Sequence, residues 1–177
     1  KAIGHLPIYS PREIVDAAGL LPVGLFGGGD RLEIIRGDAY FQSYICHLPR
    51  STVELLLSGR YDLLDGFLFP SICDVIRNLS GMWKLMFPEV YTHYFDVPQN
   101  FQDEIGGNYY VNELNQFRDD LERLAGRKIT DDDLRASIAA YNENRQLVRE
   151  VYDFRSAQPW QAPATEVYLL MRAGMVL

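Results

Sequence analysis

Cysteine is scarce in this chain: only Cys46 and Cys73 occur among 177 residues. Two are too few for a disulfide framework, so a reducing compartment, the cytoplasm, is expected. Positive charge is in deficit. Against 24 Asp and Glu there are 17 Lys and Arg, a formal net charge of −7. Such a surface repels phosphates, which argues against a nucleic-acid partner. No apolar run reaches the roughly 20 residues of a membrane span, and no signal peptide is visible. No membrane partner is therefore expected. Internal repeats and low-complexity segments are absent. The glycine cluster Gly27-Gly28-Gly29-Asp30 has neither the GxGxxG nor the GxxxxGK[ST] spacing of a phosphate cradle, and a plain turn is expected there.

What the chain does contain is organised around DGFLFPSICDVIRNLSGMW, residues 65–83. Gly66 to Phe69 is an apolar run of strand length, and Pro70 and Ser71 stop it. Cys73 and Asp74 then open a segment with Val75, Ile76, Leu79, Met82 and Trp83 at helical spacing. A thiol at such a junction lies near unpaired N–H groups and the positive end of the helix dipole. Both favour thiolate, the form that binds metal or reacts. Cys46 lies one strand–helix unit upstream in a similar position.

The remaining pattern repeats this alternation. Residues 20–26, 66–69 and 90–95 read as neighbouring parallel strands. Capping boxes are expected at Ser10/Glu13, with Pro11 between them, and at Ser51/Glu54, with Gly59 as the stop. Thr130 to Asp133 caps a longer helix. Residues 34–43 carry no clear pattern. Val111, Leu114, Phe117, Leu121 and Leu124 form a helical stripe closed by Gly126. Leu134, Ile138, Tyr141, Val148 and Tyr152 form another, interrupted by Arg145. A last helix spans 164–175. The fold class is α/β: a parallel sheet flanked by helices, of Rossmann or flavodoxin type, followed by a helical segment. Two units are expected, an α/β domain over 1–125 and a helical connecting segment over 126–177. The apolar helical pattern running to Val176-Leu177 leads us to expect a second α/β domain beyond.

In parallel sheets ligands collect at the carboxyl ends of the strands. Cys46 is expected in the connection after the first of these strands and Cys73 directly after the second. Adjacent strands lie about 4.8 Å apart, so the two thiols can share a ligand. Soft thiolates suit zinc, copper(I) or an iron–sulfur cluster. The alternative is two small buried apolar side chains. His47 is a possible further ligand, although adjacent residues rarely reach one ion. His5 is expected at the surface and His93 on a strand. No histidine is placed against Cys73 as a catalytic base.

The stretch GHLPIYSPREIVDAAGLLPVGLFGGGDRLEIIRGDAYFQSYICHLPRSTVE, with LDGFLFPSICDVIRNLSGMWKLMFP and YFDVPQN, resembles the benzoyl-CoA reductase and 2-hydroxyacyl-CoA dehydratase subunit family. The wording around both cysteines is most similar to small subunits of ATP-dependent benzoyl-CoA reductases. The resemblance covers most of residues 1–125. It implies two similar α/β domains with a 4Fe–4S cluster at their interface, held by three cysteines. Cys46 and Cys73 match the first two ligands. The third belongs to the second domain, and residues 126–177 contain no cysteine. The implied partners are a homologous reductase subunit, ATP-hydrolysing activator subunits that inject electrons, and an acyl-CoA substrate.

The implied reaction reduces the aromatic ring of benzoyl-CoA to a cyclic dienoyl-CoA. The alternatives are water elimination from a 2-hydroxyacyl-CoA, a non-catalytic electron-relay subunit, or a plain α/β domain without metal. Tyr44, Ile45, Leu68, Phe69 and Ile72 are candidates for a dry shell around the cysteines. Asp74 and Asn78 are candidates for groups behind the ligands, or for ordinary capping and surface roles. Arg50 and Arg77 either attract CoA phosphates or tune the cluster, or else lie on solvated helix faces.

Overall fold

The computed structural model describes residues 1–176. The chain opens with strand β1 (Ala2–His5), followed by α1 (Arg12–Ala17) and β2 (Leu21–Gly24). A long connection with one 3-10 turn (Gly37–Ala39) leads to α2 (His47–Leu57). Then come β3 (Gly66–Pro70), α3 (Asp74–Met86) and β4 (Tyr91–Phe95). A π-helical turn (Asp103–Gly107) runs into α4 (Asn108–Ala125), and α5 (Asp131–Ala157) and α6 (Ala164–Val176) follow.

The four strands form one parallel sheet in the order β2-β1-β3-β4. This is the expected α/β architecture with one correction: residues 21–24 and 66–70 are not neighbours, because β1 lies between them. Ile3 pairs with Pro22 on one side and with Gly66 on the other. The sequence AIGH is too short for its period to show. Its glycine is there for packing, since a Cβ on Gly4 would sit 2.8 Å from Leu64 Cδ1 and 2.9 Å from Leu25 Cδ1.

Apolar layers cover both faces of the sheet. On one, Phe67 and Phe69 pack with Val53 and Leu56 of α2 and with Ile76, Leu79 and Trp83 of α3. On the other, Ile3, Leu68 and Phe95 pack with Val15, Phe117, Leu121 and Ile129. Every residue of β3 is buried, and for that reason it reads as a continuous apolar run rather than an alternation. Trp83 fixes α3 on the sheet, its ring centroid 4.6 Å from Phe67 and 5.2 Å from Phe69.

Two capping expectations fail for identifiable reasons. Ile8 and Tyr9 have positive φ (71° and 58°), and the Ser10 hydroxyl reaches back to donate to the Leu6 carbonyl at 2.8 Å. Pro11 is the N-cap of α1, without a side-chain cap. At α2 the helix begins earlier, with Cys46 as N-cap, so Ser51 and Glu54 lie inside it. The Thr130 cap forms, with Asp133 completing a capping box, and Gly126 closes α4 at φ 72°. Of the 27 residues of α5 only Ser137 is buried. Its ties to α1 include the Arg145–Glu13 ion pair and the Arg12 guanidinium 5.1 Å above the Tyr141 ring.

Candidate functional site

Cys73 stands where β3 hands over to α3. Its backbone is extended (φ −162°, ψ 171°) and it is the N-cap of α3. The Ser71 N–H donates to the Phe95 carbonyl at 2.9 Å, and the Val97 N–H donates to Ser71 Oγ at 2.8 Å. These bonds stitch the turn before Cys73 to the end of β4. The result is a cleft of about 740 Å³ at the carboxyl edge of the sheet, with Cys73, Asp74 and Arg77 on one wall and Tyr94, Asp96 and Tyr109 on the other.

The second wall is held in place by its own contacts. Tyr109 donates to Asp96 Oδ2 at 2.9 Å. Partial burial and the Asp96 carboxylate push the Tyr109 phenol up to about 12, so it remains a donor at neutral pH. The DVPQN segment bends back so tightly that a Cβ on Gly106 would overlap the Asn100 carbonyl. The Tyr94 hydroxyl and the Asp74 and Asp96 carboxylates raise Arg77 further above its ordinary value. Asp74 lies 3.7 Å from Arg77, and both side chains are largely exposed.

Cys46 is the N-cap of α2, again at a helix start on the carboxyl side of the sheet. Both cysteines are free and exposed, not buried as small apolar side chains. Because β1 separates β2 from β3, strand adjacency does not set the thiols side by side. Cys46, at the end of the connection 25–46, is not among the residues that line the Cys73 cleft. The dry shell expected around them is incomplete: Leu68 and Phe69 are buried in the sheet, while Tyr44 is 81% exposed.

Arg50 has a different role from either expectation. Its Nε and Nη2 donate to Asp38 Oδ1 at 2.8 and 2.6 Å, and Nη1 donates to the Ser43 carbonyl at 3.0 Å. It is a loop anchor. Asp74 and Asn78 are exposed in the first turns of α3. His5 is buried rather than at the surface, with Nδ1 3.1 Å from the Leu6 carbonyl. Desolvation lowers its pKa to about 4, so it is neutral at pH 7. His93 lies on β4 as expected, 3.2 Å from Asp120 Oδ2.

Two exposed thiols at helix starts on one sheet edge match part of the donor set of an iron–sulfur site. Among the described residues no group of three or more His, Cys, Asp and Glu is placed to hold a metal ion. Sequence reasoning found both thiols. It missed Tyr94, Asp96 and Tyr109, which reach the Cys73 cleft only because β3 and β4 are adjacent. The signal for the first two was the YFDVPQN wording.

Comparison with known proteins gives concordant relatives. The family model described as 2-hydroxyglutaryl-CoA dehydratase, D-component, matches residues 7–177. A benzoyl-CoA reductase subunit of Thauera aromatica is 67% identical over 177 residues, all of this chain and 46% of that protein. The (R)-phenyllactyl-CoA dehydratase beta subunit of Clostridium sporogenes is 32% identical over 174 residues, 98% of this chain and 46% of that protein. The beta subunit of (R)-2-hydroxyglutaryl-CoA dehydratase from Acidaminococcus fermentans is 33% identical over 175 residues, again 98% and 46%. The chain thus spans about half the length of the curated relatives it matches. No helix among the described residues is long and apolar enough to cross a membrane.

Proposed function

The chain belongs to the 2-hydroxyglutaryl-CoA dehydratase D-component family, and on that premise we propose that it is part of a subunit of an ATP-dependent benzoyl-CoA reductase. Cys46 and Cys73 are two thiolate ligands of a 4Fe–4S cluster, and a third cysteine comes from outside these residues. Residues 1–125 are the α/β domain that carries the ligands, and 126–177 connect it to a second such domain. The observation that carries this reading is structural: both cysteines are free N-caps of helices that leave the same edge of one parallel sheet. The relative at 67% identity supplies the choice of thioester.

A bound 4Fe–4S cluster supplies electrons at potentials that extend to about −700 mV, as reduction of an aromatic ring demands. The chain's own residues prepare the site. The helix starts at Cys46 and Cys73 favour the negative charge of thiolate ligands. Arg77, exposed at the cleft mouth, attracts the phosphates of an acyl-CoA. Tyr109 stays protonated with its one O–H on Asp96 and so holds that carboxylate in place on the cleft wall. The partners are a homologous reductase subunit and ATP-hydrolysing activator subunits in the cytoplasm.

A second reading, a component of a 2-hydroxyacyl-CoA dehydratase, is favoured by the dehydratase beta subunits at 32% and 33% identity. The higher identity of 67% weighs for the reductase. The test offers the full-length complex, with activator and ATP and without air, benzoyl-CoA and a 2-hydroxyacyl-CoA separately. The expected product is the cyclic dienoyl-CoA. Water elimination with benzoyl-CoA untouched would instead establish the dehydratase.

A further inference from the structure

The connection from β2 to α2 is unusual for its length without a strand or α-helix of its own, which in compact domains marks a segment with a job. It is not loose. Glu54, two turns into α2, turns its carboxylate toward it. A single oxygen, Oε2, accepts the backbone N–H groups of Ile35, Arg36 and Gly37 at 2.9, 2.6 and 2.9 Å. Glu54 is buried, and a buried carboxylate is costly unless donors satisfy it. Here three consecutive N–H groups do so, and they take their geometry from the charge they surround. Gly37 permits the approach, since a Cβ there would overlap the Arg50 carbonyl.

Further ties run from the same helix. Arg36 Nη1 donates to the Leu57 carbonyl at 2.8 Å. Arg50 holds Asp38 at 2.6 Å and the Ser43 carbonyl at 3.0 Å. The Gly28 N–H donates to Ser51 Oγ at 3.2 Å. The loop that precedes Cys46 is thereby folded back onto the helix that Cys46 caps. Ser43, held by Arg50, lies three residues before the thiol.

We propose that Glu54 is the positioning residue for Cys46: it is the buried anion around which residues 35–37 are wound, and through that anchored loop it fixes where the Cys46 thiol is presented at the sheet edge. It touches neither substrate nor reacting atoms. No comparable carboxylate is needed at Cys73, because only Ser71 and Ile72 separate it from β3 and Ser71 is tied to β4. This role rests on the reading that Cys46 is a cluster ligand, but its first test does not.

That test uses Cys73 as an internal reference. In the full-length protein stripped of iron, the alkylation rate of each cysteine is measured by peptide mass spectrometry for wild type and Glu54→Ala. Release of the loop changes access to Cys46 and leaves Cys73 alone. Cys46 is already exposed, so the expected result is a several-fold change in its rate, through the altered surroundings of the helix start, with Cys73 unchanged. Equal changes at both cysteines, or none at Cys46, would overturn the proposal. If Glu54→Ala does not accumulate, Glu54→Gln carries the same comparison, since it removes the charge and keeps the volume. In the iron-loaded protein the variant is expected to hold its cluster about tenfold less tightly, the scale for groups that orient metal ligands, with an altered electron paramagnetic resonance signature. A wild-type protein without a cluster would remove the ligand reading and leave the alkylation result to judge Glu54 by itself.

Discussion

Three largely buried polar side chains, His5, Glu54 and Arg50, each titrate or break in their own way. His5 is neutral in the fold because burial lowers its pKa from 6.5 to about 4. The unfolded chain takes up a proton over that interval and the folded chain does not, so stability is lost as pH falls from about 6.5 towards 4. Integrated over the shift, the loss is up to about 3 kcal/mol. Urea denaturation across this range should show the slope in wild type and its reduction in His5→Leu. Glu54 acts in a lower window. Burial alone would raise its pKa, but the N–H groups of Gly37, Ile35 and Arg36 outweigh that and lower it. Its stabilisation is therefore complete above the ordinary carboxylate range and lost as pH falls through its depressed value. Arg50 is the third. Replacing it with alanine removes the bonds to Asp38 and Ser43 and should cost about 1–2 kcal/mol in denaturant titration.

At the scale of elements, β3 and α3 form the unit that everything else is fitted to. Trp83 lies fully buried between α3 and the rings of Phe67 and Phe69. Trp83→Ala should destabilise the fold by about 3–5 kcal/mol, measured as a lowered denaturation midpoint at constant m. This unit was legible in the sequence because both of its signals are strong, the apolar run Gly66 to Phe69 and the amphipathic helix after it; Pro70, expected to stop the strand, is instead its last residue and pairs with Phe95. β1 was not, since four residues that include Gly4 carry no period, and its central place in the sheet is a matter of tertiary pairing. The capping box at Ser51 and Glu54 misled for a physical reason. The helix is already under way from Cys46 when the chain reaches Ser51, and Glu54 finds its donors in a distant loop rather than at a helix start. The Cys73 wall of the cleft was legible, while Tyr94, Asp96 and Tyr109 depend on β3 and β4 pairing from Gly66 with Tyr91 to Pro70 with Phe95.

At the scale of the whole molecule, the chain presents its two thiols at one edge without enclosing them. Both are exposed, and large apolar side chains such as Tyr44, Phe101 and Ile105 are exposed as well. These 177 residues hold only two cysteines, so on the proposed three-cysteine reading residues 1–177 reconstituted with iron and sulfide should hold far less than a stoichiometric cluster. The most direct measurement is iron and acid-labile sulfide per polypeptide in the full-length protein, purified without air, for wild type, Cys46→Ser and Cys73→Ser. A serine oxygen is a harder and poorer ligand for iron in a sulfide cluster than a thiolate. If both cysteines are ligands, wild type holds a stoichiometric 4Fe–4S cluster and each variant loses most of it, with benzoyl-CoA reduction falling in parallel while the activator still hydrolyses ATP. Iron content and ring reduction unchanged in both variants would contradict the ligand assignment.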